Sequence, residues 1–113
     1  GIRIVERPQH EFYVGSSIQF HVDGFDADKT LAFINACLQR GVELKWFGPE
    51  EPVAFTSRYD SWGYIDSIPE LPKTLDTLAT TCDMRVPLTF SESDCHLIAE
   101  IIVDEAEKQT RMC

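Results

Sequence analysis

The sequence predicts a two-layer α+β domain: a three- to four-stranded, mainly antiparallel sheet with helices on one face. Three observations lead there. Period-two alternation recurs in short runs, at 12–22, 42–47 and 84–90. Helical spacing with end signals separates them, at 27–39, 72–82 and 92–108. The order is strand, helix, strand, irregular stretch, helix, strand, helix, and apolar strand faces need helices above them. At 113 residues the chain is one domain, 1–113, with enough length for a core without staples.

Taken in order, Ile2 to Val5 forms a short strand that ends before Pro8. Phe12, Val14, Ile18, Phe20 and Val22 then alternate with Tyr13, Ser17, Gln19 and His21, with a bulge at Gly15-Ser16. Asp26 caps a helix over Ala27 to Gln39, whose apolar stripe is Leu31, Ile34 and Leu38, and Gly41 supplies the left-handed stop. Val42, Leu44 and Trp46 form the inner face of the next strand, with Glu43, Lys45 and Phe47 outside.

Gly48 to Leu71 is irregular, with a short strand at Val53 to Ser57 and an aromatic run around Tyr59, Trp62 and Tyr64. A structureless loop of roughly 20 residues is usually functional or disordered, and the aromatic content argues for order, as in a lid or docking surface. Pro72 opens a helix through Leu75, Leu78, Ala79 and Cys82. Met84, Val86, Leu88 and Phe90 form a strand with Arg85 on its other face. Ser91 and Asp94 make a capping box for a helix from Glu92 to Lys108, with Leu97, Ile98, Ile101 and Ile102 as its stripe.

Composition narrows the function. A net charge of −9 argues against nucleic acid or an anionic membrane as partner, since both demand a basic surface. No apolar run is long enough for a transmembrane helix, and no signal-peptide pattern opens the chain. The four cysteines make no CxxC pair and the three histidines no ligand spacing, so no metal site is expected. Cys37, Cys82 and Cys95 fall in expected helices and read as small thiols in a reducing, cytoplasmic setting. No P-loop, GxGxxG, GxSxG or Cys-His nucleophile pattern occurs.

Candidate site residues therefore come from charge on the outer sheet face. Lys45 and Arg85 stand on outward strand positions with His21 and Gln19, and they either converge on an anion or form a solvated face. Arg58, among Phe55, Tyr59 and Trp62, either binds a carboxylate or phosphate or stacks on a ring. His96 reads as a helix-surface residue.

Several segments resemble, in order, the C-terminal small domain of fold-type I pyridoxal-phosphate (PLP) aminotransferases of the DegT/DnrJ type. They are Arg40-Gly41 closing a helix before Val42-Glu43-Leu44-Lys45-Trp46; Leu71-Pro72-Lys73-Thr74 opening another; Met84-Arg85-Val86-Pro87-Leu88; Ser91-Glu92 with Asp94; and Leu97-Ile98-Ala99-Glu100-Ile101-Ile102. The likeness spans about residues 10 to 105. It implies a piece of a longer, homodimeric enzyme that is inactive alone. The Schiff-base lysine and PLP would sit in an N-terminal large domain, no cofactor would be bound here, and this domain would close over a small carboxylate or amino-acid substrate. It also implies that Arg85 grips the substrate carboxylate, with Arg58 and Lys45 as weaker candidates. Sugar-specific members carry a His-Tyr-Pro segment where this chain has Lys45-Trp46-Phe47-Gly48-Pro49, which argues against a nucleotide-sugar. The alternatives are a free-standing α+β ligand-binding or regulatory module, and an interaction domain anchored by Trp46, Trp62 and Tyr64.

Overall fold

In the computed structural model, which describes residues 1–53, 58–61, 63–64 and 66–112, the chain forms one four-stranded antiparallel sheet and three helices. The elements are β1 (Ile2–Ile4), β2 (Ser17–Val22), α1 (Ala27–Gln39), β3 (Lys45–Trp46), α2 (Pro72–Thr80), β4 (Thr81–Arg85) and α3 (Glu92–Arg111), with a 3-10 turn at Tyr59–Ser61. Strand order is β1-β2-β4-β3. This is the α+β class expected.

The central ladder pairs Ser17 with Arg85, Ile18 with Met84, Gln19 with Asp83, Phe20 with Cys82 and His21 with Thr81. Because strand side chains alternate, Phe20, Val22, Cys82, Met84 and Trp46 share one face. That face joins Phe33 and Cys37 of α1 and Ile101, Ile102 and Ala106 of α3 in the core. Burial pushes the Cys37 and Cys82 thiols up to about 12, so both stay neutral.

Four local expectations shift. The strand of Phe12 to Val22 begins only at Ser17, because Gly15 turns the chain with φ +75°; Phe12 and Val14 lie exposed. The apolar stripe of α1 is rotated by one residue. Thr30, Phe33 and Cys37 are buried and Ile34 packs against the core as expected, whereas Leu31 and Leu38 are half exposed. Phe33 also meets Phe25 edge-to-face, with ring centroids 6.0 Å apart.

The third shift moves β4 toward the N-terminus. Cys82 lies in the strand and not in the preceding helix. Pro87 has no N–H for a ladder, and the chain turns there, with Phe90 N–H donating to Pro87 O; Leu88 is fully exposed. Fourth, α3 runs on to Arg111, and Leu97 leaves the buried stripe while Glu105 and Gln109 join it.

Other signals are met. Asp26 accepts from Lys29 N–H, and Ser91 and Asp94 form the reciprocal capping box. β1 occupies Ile2–Ile4 of the short strand expected at Ile2 to Val5. Val42, Leu44 and Trp46 are all buried, although only Lys45–Trp46 is laddered. Trp46 donates from Nε1 to Ala79 O at 2.8 Å, which ties α2 to β3, and a Cβ on Gly48 would fall 2.4 Å from its ring. Trp46 is therefore core and no interaction anchor; Tyr64 is exposed, and Trp62 lies outside the described residues. Val53 is exposed and in no strand, and the rest of that expected strand, 54–57, also lies outside them.

Helices α1 and α3 are joined by charge. Arg40 Nη1 donates to Asp104 Oδ2 at 2.5 Å and Glu105 Oε1 at 2.6 Å; Lys108 reaches the same carboxylates at 2.9 and 2.8 Å. Hydrogen bonds from Lys108 and then Arg40 hold both carboxyls below their ordinary values of 3.8 and 4.5.

Two predictions follow from this packing. Phe33→Ala should cost about 3–5 kcal/mol and Leu31→Ala about 1 kcal/mol or less, read from urea unfolding. A carboxyl with a depressed folded pKa stabilises fully above its ordinary value and loses that contribution as pH falls through the folded pKa. Arg40→Ala should therefore lower the Tm at pH 7, and the gap from wild type should narrow as pH drops below about 4.5.

Candidate functional site

A cleft of about 570 Å³ opens between the segment leading into β3 and the β4–α3 connection. Glu43 and Lys45 line one side, Asp83 and Arg85 the other, and Phe90 and Ile98 contribute apolar surface. Its origin is local. Helix α1 ends in a Schellman turn: Gly41 N–H donates to Leu38 O and Val42 N–H to Cys37 O, both at 2.9 Å, with Gly41 at φ +85°. That turn holds residues 41–42 against the helix, so the chain joins β4 only at Lys45, opposite Asp83. Beyond that point the two segments diverge and the cleft lies between them.

Lys45 and Arg85 thus reach one cleft. Arg85 is exposed, and among the described residues its side chain makes no ion pair or hydrogen bond. Asp83 accepts a short hydrogen bond from Gln19 Nε2 across the central ladder. The lining therefore holds two cationic and two anionic side chains, in a protein whose net charge is −9. Such a site suits a small ligand carrying a carboxylate together with a donor group.

Two other candidates lie elsewhere. His21 is 9% exposed, with Nδ1 3.0 Å from Thr80 Oγ1; it pairs with Arg3 and Thr81 and stands four residues from Ser17, the partner of Arg85. At about 3.3 Å per residue that is roughly 13 Å along the strand. His21 does not join Lys45 and Arg85. Arg58 is also outside the cleft, gripping Asp60 with two hydrogen bonds of 2.8 and 2.6 Å. Phe55 and Trp62 lie outside the described residues, and His96 is on the α3 surface, 3.7 Å from Glu92.

Glu43 and Asp83 were not singled out from the sequence as site residues. Their signal was present: each occupies an outward position one strand step from an outward cation, Lys45 or Arg85. Alternation gives the face, and only the strand order makes them neighbours. A second cavity, about 280 Å³ and mostly apolar, lies under the N-terminal arm, where Arg7 stacks 3.2 Å over the Tyr13 ring.

PLP needs a lysine for a Schiff base and donors for its phosphate. The described residues do not fit it. Lys108 is tied to Asp104 and Glu105, and Lys29 and Lys73 sit on first turns of helices. The starts of α1 and α3 carry Asp26 and Asp28, and Glu92 and Asp94, which repel a phosphate. Lys45 shares its cleft with the Asp83 and Glu43 carboxylates, which disfavour a phosphate there. Among the described residues no group of three or more His, Cys, Asp or Glu side chains is placed to hold a metal, and no helix is long and apolar enough to cross a membrane.

No family model matches this chain, and no match emerges among curated proteins or solved structures.

Proposed function

We propose that this chain is the substrate-holding C-terminal small domain of a PLP-dependent aminotransferase. The Schiff-base lysine and phosphate cup would belong to an N-terminal large domain of a cytoplasmic, homodimeric enzyme. The observation that carries the reading is Arg85: an exposed arginine at the end of a central strand, lining the charged cleft just before α3. Its guanidinium can take a substrate carboxylate through two parallel hydrogen bonds, which fixes the orientation of the substrate. Lys45 adds positive charge on the opposite wall. Arg58, already clamped on Asp60, is left a structural part in this scheme.

Two further features fit this reading. Helix α2 buries none of its residues, and Leu71 and Leu75 each remain 38% exposed. A helix of nine residues is too short to hold by propensity alone, so an apolar surface packed on it would account for its persistence. Among the described residues, Cys37, Cys82 and Cys95 are free thiols, which suits a reducing compartment.

A free-standing module for small carboxylates is the second reading. Among the described residues nothing fits PLP, and the charged cleft by itself suits such a ligand. The two part on affinity. A free-standing module should bind its carboxylate at micromolar concentration, whereas half a site should bind in the millimolar range. In the full-length enzyme, Arg85→Ala should raise KM for the amino donor by about 10- to 100-fold, in line with loss of a charged hydrogen-bonded pair. Steady-state kinetics with unchanged KM would remove Arg85 from the substrate site.

A further inference from the structure

The backbone of Arg85 carries information that its side chain does not. Residues of an antiparallel strand direct their N–H and C=O alternately to one neighbour and the other. Phe47 N–H donates to Thr81 O on the β3 side, and Val86 N–H to Ser16 O on the β2 side. Thr81, Asp83 and Arg85 therefore direct their backbone groups toward β3. Thr81 and Asp83 find partners there in Phe47 and Lys45. Continued by one step, the register sets Glu43 opposite Arg85. Yet β3 spans only Lys45–Trp46, and no backbone hydrogen bond joins Glu43 to Arg85. Arg85 N–H and C=O thus face the cleft without a backbone partner among the described residues, between the Lys45 and Arg85 cations.

A donor and an acceptor spaced as in one β-strand residue select a ligand with the complementary pair. We infer that the cleft takes an N-acyl α-amino acid unit, bound as a one-residue extension of the sheet. Its amide N–H donates to Arg85 O. Its carboxylate accepts from Arg85 N–H and is neutralised by the Arg85 guanidinium and Lys45 ammonium. Its side chain falls on the outer sheet face, with that of Arg85. The inference rests on the carboxylate role of Arg85 proposed above and adds the amide. In an aminotransferase, the reacting amine would then be a second one, away from the acylated nitrogen. The unit comes either as a small molecule or as a peptide C-terminus.

The test is a titration of the 113-residue chain, followed by NMR of the Arg85 amide, with propionate, N-acetyl-L-alanine, N-acetyl-N-methyl-L-alanine and acetyl-trialanine. N-acetyl-L-alanine should bind about tenfold tighter than propionate and shift the Arg85 amide resonance, and its N-methyl form should lose most of that gain. Arg85→Gln, an exposed position, should weaken both carboxylates about tenfold with an unchanged circular dichroism spectrum. Equal affinity for N-acetyl-L-alanine and propionate, both sensitive to Arg85→Gln, would overturn the amide part and leave the carboxylate role standing. Binding of neither, or binding indifferent to Arg85→Gln, would overturn both. Acetyl-trialanine tighter than N-acetyl-L-alanine assigns a peptide C-terminus; equal affinity assigns a small molecule.

Discussion

The pairing of β2 with β4 is the constraint on which the rest of this protein depends. It joins residues 17–21 to residues 81–85, segments far apart in the chain, and so carries a substantial loop-closure cost. Burial on one face offsets that cost. Phe20, Cys82 and Met84 come together under Phe33 and Ile101, and the core is continuous only because the two strands share a register. A one-residue slip would turn Cys82 and Met84 to solvent and bring Asp83 and Arg85 inward. The same pairing that closes the core therefore presents Arg85 to the cleft.

The cleft itself comes from competition between a helix end and a strand. Val42 N–H is used by the Schellman turn of α1, and Gly41 permits it at φ +85°. Residues 41–43 follow the helix end, so β3 reaches β4 late and is short. A longer β3 would have sealed the edge of β4 with backbone hydrogen bonds. The open edge and the opposed charges of Glu43, Lys45, Asp83 and Arg85 are consequences of one turn.

Stability is distributed unevenly around that site. Arg40, Asp104, Glu105 and Lys108 join α1 to α3, and Glu105 is nearly buried, so removing its partners would leave a carboxylate without compensation. Among the described residues, helix α2 has no such ion pairs and is tied down by the Trp46–Ala79 and His21–Thr80 hydrogen bonds and its edge contact with β3. Elements with few buried contacts open at low cost, and they border the surface on which a covering domain is proposed.

The sequence by itself determined the α+β class, the caps at Asp26 and Ser91–Asp94, the stop at Gly41 and the inward set Val42, Leu44 and Trp46. These depend on neighbours within a few residues, where capping, φ freedom and side-chain alternation act. Tertiary structure decided what local patterns leave degenerate. In α1, residues 30, 33 and 37 and residues 31, 34 and 38 have the same spacing, and only packing against the sheet buries the first set and keeps Ile34 alone of the second against the core. The run Leu78 to Asp83 suits a helix or a strand by spacing, and the β2 edge draws Thr81 onward into β4. That Lys45 and Arg85 share a cleft while His21 is buried elsewhere follows from strand order, which is a property of long-range pairing and is written in no single segment.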